Sequence, residues 1–343
     1  MTIRAAAPQP QVAIVLLALL FVIGFGLIAS TSFGEYPIAW LDVAKTMIGI
    51  DTGNPDHAFV VRTLRLPRSI VAVLVGMALS MAGAIMQGIT RNPLAAPGIV
   101  GVNAGASLAA VVLLIVFPAV SPEGGGAIAY LPAAAFLGGL ATALLIYGLA
   151  WQGGSAPVRL ILIGVGVNLI VSAATEVLTT FGNIDAVSQA LVWLAGSVYG
   201  RSWEQIAAFL PWLIGFGSLA LLQVRELNVL QLGDEVARSL GSRIEWQRGL
   251  LLLTSVALAG ASVATAGSIG FVDLMAPHLA RQLVGSDHKA LLPASALIGG
   301  AIVVLADLVG RLLFAPIEIP CGLVTSAIGA PYFVYLLIRN RSR

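Results

Sequence analysis

Charge is what this sequence has least of. Asp, Glu, Lys and Arg make up 10% of its 343 residues, where a soluble domain carries about 25%. That is too little polar surface to cover a core in water. Lysine occurs only at Lys45 and Lys289. A nucleotide-binding P-loop needs Gly-Lys-Ser/Thr, and these lysines follow Ala44 and His288. The chain therefore has no P-loop chemistry, and any ATP-driven work must come from another chain. The single Cys321 excludes an internal disulfide and a cysteine metal cluster. His57, His278 and His288 show no metal-ligand spacing, and there is no His-Glu-x-x-His. No cofactor or metal is expected. A net charge of +2 leaves no footprint for nucleic acid.

What is there is hydrocarbon. Hydrophobic residues are 58% of the chain and mean hydropathy is +0.96. They come in long runs such as Val12 to Ile28 and Gly249 to Ile269. Eighteen or more apolar residues cross about 30 Å of bilayer as a helix. In lipid every backbone amide must be bonded internally, so the spans should be helical. The fold class is all-α, a polytopic membrane protein with about ten transmembrane helices. The windows fall near 12–32, 66–88, 99–119, 129–150, 158–181, 204–224, 249–267, 269–285, 291–314 and 321–338. Only "AGSIG" divides the seventh from the eighth. Arg4 and the stretch after it resemble a secretory signal, but the apolar run is long for one and reads as a retained first span.

Basic residues set the orientation. With the N-terminus inside, twelve of the 18 Lys and Arg face the cytoplasm; Lys45, Arg62, Arg65, Arg68, Arg201 and Arg311 face out. The positive-inside rule then places both termini in the cytoplasm.

The same choice puts a polar island, 225–248, on the cytoplasmic side. Its "GDEVARSLG" reads as a short helix. Asp234 suits the N-cap and can pair with Arg238; Glu235 suits the positive N-terminal end; Gly241 can take a left-handed C-cap. Val236, Ala237 and Leu240 share a face. Barely two turns long, such a helix is marginal alone. It is either a connector lying on the bilayer or a helix that slots into a groove on a cytoplasmic partner.

Arg62, Arg65 and Arg68 crowd "RTLRLPR" at the mouth of the second span, with Arg311 near the outer end of the ninth. They are headgroup anchors or a docking site for an acidic partner, since fixed guanidiniums bind carboxylates bidentately. Gln87, Asn103 and Asn168 lie in or beside spans and either line a pathway or bond neighbouring helices. His278 reads as a structural hydrogen-bonder. Gly and Ala at short spacing in "GMALSMAGA" and "GVGVNLIVSAA" allow close helix contact.

Several long motifs in order carry a resemblance that covers nearly the whole chain. They are "RLPR" at 65–68, "MQGITRNPLAAPGIVGVNAGAS" at 86–107, "LVWLAGSVYGRSW" at 191–203, "LGDEVARSLG" at 232–241, "APHLARQLVGSDHKALLPASALIGG" at 276–300, "AD" at 306–307 and "IGAPYFVYLL" at 328–337. The sequence resembles the permease subunits of bacterial ATP-binding-cassette (ABC) importers for iron-siderophores, haem and vitamin B12. "RNPLAAPGIVGVNAGASLA" and "LVWLAGSVYGRSW" look closest to ferric-citrate-type permeases.

The resemblance implies a type II importer permease, a single transmembrane domain over 1–343 in the bacterial inner membrane. It would pair with an identical or related permease subunit and work with two ATP-binding subunits and an extracytoplasmic binding protein. By the same resemblance, Gly233, Asp234, Glu235, Val236, Ala237, Arg238, Leu240 and Gly241 would sit in the ATPase groove. Arg65, Arg68 and Arg311 would meet acidic residues of the binding protein. Asn92, Leu94 and the 151–156 turn, with Gly154 and Ser155, would lie near the cytoplasmic end of a pathway that Gln87 and Asn103 can also line. Two residues depart from the family pattern: Asp273 where Gly is usual, read as a water-facing or helix-end carboxylate, and Cys321 where Val or Ile is usual.

A rival reading is a proton- or sodium-coupled secondary transporter resting on Asp273, Asp307, Glu176 and His278 as intramembrane titrating groups. An intramembrane hydrolase lacks its motifs.

Overall fold

The computed structural model describes residues 9–117, 130–152, 154 and 157–341. Its elements are helices: α1 Gln9–Ser32, α2 Trp40–Met47, α3 Pro55–Phe59, α4 Leu66–Thr90, α5 Val102–Val116, α6 Leu131–Ala150, α7 Pro157–Phe181, α8 Ile184–Leu194, α9 Trp203–Leu222, α10 Val224–Gln231, α11 Asp234–Ser239, α12 Ile244–Ala266, α13 Val272–Val284, α14 His288–Leu312 and α15 Cys321–Arg341. Each of the ten expected spans falls on one of them. Among the described residues seven helical runs are long and apolar enough to cross a membrane: α1, the run Pro55–Thr90, α6, α7, α9, α12 and α14. Shorter apolar helices include α5, α8 and residues 321–336 of α15. α13 is 13 residues long and carries Pro277. The "AGSIG" break is real: α12 stops at Gly267, which holds φ +72°, and α13 starts at Val272.

One boundary moves. The second span was expected to begin at residue 66, but the helix is continuous from Pro55, through a π-helical stretch Val60–Arg65, to Thr90. Pro55 occupies the first turn, and the Asn54 side chain accepts from the Asp56 N–H at 3.0 Å to cap it. Three arginines in seven residues look like a span end. Because Arg65 and Arg68 are buried against internal partners, the helix runs through them.

The chain divides into two compact units. The first holds 1–80, 195–211 and 269–343. Here Val12, Val15, Leu16 and Leu19 of α1 pack on Ala276, Ala280 and Val284 of α13 and on Leu291, Ala294 and Ile298 of α14. α4 crosses α14 backbone to backbone at Gly76 and Gly299, where a Cβ on either would strike the other's carbonyl. This is the close approach that the small residues of "GMALSMAGA" permit. Ile38, Val43 and Val61 form a separate cluster under α2.

The second unit holds 81–194 and 212–268. α5 and α6 meet at Gly105 and Gly138, again with carbonyl against Cα. Ala106, Ala110, Val111 and Leu114 of α5 pack with Leu131 and Ala135 of α6, Ala190 and Trp193 of α8, and Val263 and Ala264 of α12. Gly164 of α7 abuts the Ile99 carbonyl, whereas a Cβ at Gly166 would meet nothing within 4 Å.

Candidate functional site

Two polar constellations stand out, one in each unit. The first is built on the island. α10 buries Leu227 and Leu230, and Ser242 Oγ, beyond α11, bonds the Glu226 carboxylate at 2.9 Å. α11 follows Gly233, whose φ of +105° few side chains tolerate. It ends as expected at Gly241, left-handed at φ +83°, with the Ser242 N–H returning to the Ala237 carbonyl at 3.0 Å.

Asp234 does not cap this helix and does not pair with Arg238. Gly233 is the N-cap, and Asp234 is the first helical residue. Its carboxylate accepts from Arg91 at 2.5 Å and from Arg248 at 3.0 and 3.1 Å. Arg248 is buried at 1% exposure and also faces Glu245 at 3.5 Å. Arg91 sits just past the end of α4 at φ +54°. One carboxylate thus ties the start of α11 to α12 and to the residue that closes α4. Burial would raise the Asp234 carboxyl. The hydrogen bond and charge of Arg248, then the charges of Arg91 and Arg238, outweigh it and hold the pKa below its ordinary 3.8.

The apolar face also divides. Ala237 is fully buried, while Val236 and Leu240 are 43% and 60% exposed. α11 is therefore pinned on one side and offers two large apolar side chains on the other.

The neighbouring turns belong to the same unit. Asn92 closes an Asx turn by accepting from the Leu94 N–H at 3.0 Å. Asn168 of α7 donates to the carbonyls of Gly98 and Ile99 at 3.0 and 3.2 Å, so it bonds a neighbouring turn. Asn103 lies beside Gly98. Gln87 is buried in α4. Gly154 faces the Glu245 carboxylate. Ser155 lies outside the described residues.

The second constellation, in the first unit, gathers the arginines. Arg65 donates to the carbonyls of Thr31, Ser32 and Tyr36 at 2.9, 3.2 and 2.7 Å. Arg68 grips Asp307 through Nε and one terminal nitrogen (2.8–3.1 Å) and Glu318 through the other, at 2.9 and 3.2 Å. It also lies 5.3 Å from the Tyr199 ring centre. Arg311 donates to the Ser30 carbonyl and hydroxyl at 2.7 and 2.6 Å and faces Asp307 at 3.4 Å. Arg62 donates to the Thr46 carbonyl. Arg65, Arg68 and Arg311, with Tyr36, Tyr199 and Glu318, line a pocket of about 400 Å³. Sequence reasoning missed Glu318 and Tyr199, which lie outside the spans and carry no spacing signal.

The remaining candidates are scattered. Asp273 is buried in the first turn of α13, where its carboxylate accepts backbone N–H groups of residues 273 and 274. It is a helix-end carboxylate, and the water-facing alternative is excluded by its burial within this chain. His278 packs edge-on against Tyr332. Glu176 is exposed on α7. Cys321 is buried. Among the described residues no cluster of His, Cys, Asp and Glu is suited to a metal.

A helical multi-pass chain with a pinned, partly apolar helix in its polar island has the make-up of a transmembrane permease from an ABC importer, a class whose ATPase is a separate subunit. The chain belongs to the FecCD transport family, which matches residues 18–339. It is 42% identical over 332 residues to the iron(3+)-hydroxamate import system permease protein FhuG of Bacillus subtilis, covering 96% of this chain and 98% of that protein. It is 40% identical over 329 residues to the Fe(3+)-citrate import system permease protein YfmE of the same organism, covering 96% and 95%. A solved structure of a protein assigned as a metal-chelate type ABC transporter, in an inward-facing conformation, superposes with a TM-score of 0.83 at 30% identity, covering 94% of this chain and 98% of that one.

Proposed function

We propose that this chain carries an iron(III) chelate across the bacterial cytoplasmic membrane. It would do so as one of two permease subunits, identical or related, above two ATP-binding subunits. Relatives named for iron-hydroxamate and ferric citrate support the cargo class. The distribution of Lys and Arg supports a cytoplasmic placement of both termini and of α11. An extracytoplasmic binding protein would deliver the chelate to the face that carries Arg65, Arg68 and Arg311, all three of which line one open pocket. Gln87, Asn92, Leu94, Asn103 and Gly154 are assigned to the pathway or its cytoplasmic gate.

The observation that carries the coupling role is the division of α11. Asp234 and Ala237 hold the helix to its own unit, while Val236 and Leu240 project from it. Two exposed aliphatic side chains on a pinned helix suit insertion into a groove on the ATPase. A push on α11 then reaches α12 and the end of α4 through Asp234, which is how a rigid element transmits a conformational switch.

The test is the double variant Val236→Asp/Leu240→Asp in the assembled importer. Both positions are exposed, so the permease should fold and reach the membrane while ATP-dependent chelate uptake falls by at least about tenfold. Uptake at the wild-type rate would refute the coupling role.

A further inference from the structure

Each nitrogen of the Arg68 guanidinium already bonds a carboxylate. Nε and one terminal nitrogen bond Asp307, and the other terminal nitrogen bonds both oxygens of Glu318. Asp307 is 2% exposed and is shared with Arg311. An incoming carboxylate cannot displace it without breaking a buried ion pair and removing the one carboxylate that faces Arg311 among the described residues. Glu318 is different. Its side chain is 36% exposed and it lies on the pocket wall. It sits between α14 and α15 on a segment whose backbone is fixed by the Ile319 N–H to the Gly310 carbonyl at 2.9 Å. A rotation of the side chain alone would free the outer edge of Arg68.

We infer that Glu318 is an internal stand-in for the carboxylate of an acidic docking protein, occupying the outer edge of Arg68 until that protein's own carboxylate exchanges with it. This rests on the reading that the arginine face receives an extracytoplasmic binding protein. The exchange keeps Arg68 paired throughout. It also makes docking a competition, so the resting permease holds its partner less tightly than the bare arginine would. Carboxylates that exchange in this way set selectivity by charge and geometry.

The geometry fixes the sign of the test. Glu318→Gln removes the competing charge while Asp307 still bonds Arg68 and faces Arg311 and the Gln amide oxygen can still accept from Arg68, so the variant should fold. Glu35, exposed on the same pocket wall, forms no salt bridge among the described residues, and Glu35→Gln controls for loss of one negative charge near the partner. The importer, assembled with its ATPase in nanodiscs, is titrated with its purified binding protein at low and high salt. We expect Glu318→Gln to tighten binding about tenfold, with Glu35→Gln changing it less than about threefold. Wild-type affinity should fall as salt rises. Salt-dependent binding with the two variants alike, or with Glu318→Gln weaker than wild type, would overturn the exchange and leave the docking face standing. Affinity indifferent to salt in all three proteins would remove the docking face, and the exchange with it.

Discussion

The guanidinium of Arg248, 1% exposed, holds the carboxylate of Asp234 at 3.0 and 3.1 Å. The bond joins the polar island to α12, a helix long enough to cross the membrane. Arg91 supplies a second cation on the open side of the same carboxylate, at 35% exposure.

The two cations should therefore differ in weight. Asp234→Asn leaves Arg248 buried with a diminished partner and should cost about 1–3 kcal/mol. Arg91→Ala removes a partly exposed partner and should cost about 0–1 kcal/mol. Thermal unfolding of the detergent-purified protein orders them; a larger loss for Arg91→Ala would contradict the placement.

Acid gives an independent check on Asp234. Its folded pKa lies below the ordinary 3.8, so the folded state binds its proton less readily than the unfolded chain does. The resulting stability is fully present above the unfolded value and disappears as pH falls through the folded one. The gap in melting temperature between wild type and Asp234→Asn should stay constant from pH 7 to about pH 5 and close below about pH 4. A gap that closes near neutrality would assign the effect to another group.

A second contrast lies within three residues of α7. A Cβ at Gly164 would strike the Ile99 carbonyl, whereas one at Gly166 meets nothing within 4 Å. Gly164→Ala should destabilise by about 1–3 kcal/mol through overpacking. Gly166→Ala should be neutral or stabilising by up to about 1 kcal/mol through helix propensity. The same unfolding measurement distinguishes them, and equal effects would refute the packing.

Asp307 gives the largest effect expected. It is the buried partner of both Arg68 and Arg311. Asp307→Asn should cost about 3–5 kcal/mol, against about 0–1 kcal/mol for the half-exposed Glu318→Gln. A mild Asp307→Asn phenotype would mean that the arginines find other anions.

Much of this was legible beforehand, because the signals involved are local. Hydropathy windows mark α1 through α15 wherever a run is long, and Gly241 announces the end of α11 because a left-handed residue is needed there. The small-residue stretches "GMALSMAGA" and "GVGVNLIVSAA" mark helices that can pack closely, but not which glycine meets a neighbour: Gly76 and Gly164 do, and Gly166 does not. What escaped was non-local. Asp234 pairs with Arg91 and Arg248, 143 and 14 residues away, rather than with Arg238 one turn on. Arg68 meets Asp307 and Glu318 some 239 and 250 residues later. No spacing rule reaches across such distances, and a charge cluster at a helix start looks the same whether it faces water or is buried. For that reason the second long helix begins eleven residues earlier than expected, at Pro55 instead of 66.

We expect this membrane chain to move its cargo only when a separate ATPase acts on it. The most direct measurement is uptake of an iron-55-labelled hydroxamate or citrate chelate into proteoliposomes, with the binding protein supplied outside and ATP inside. The permease should import label when the ATP-binding subunits are co-reconstituted, and none when they are omitted, with or without a proton or sodium gradient. Gradient-driven uptake by the permease alone would contradict the account.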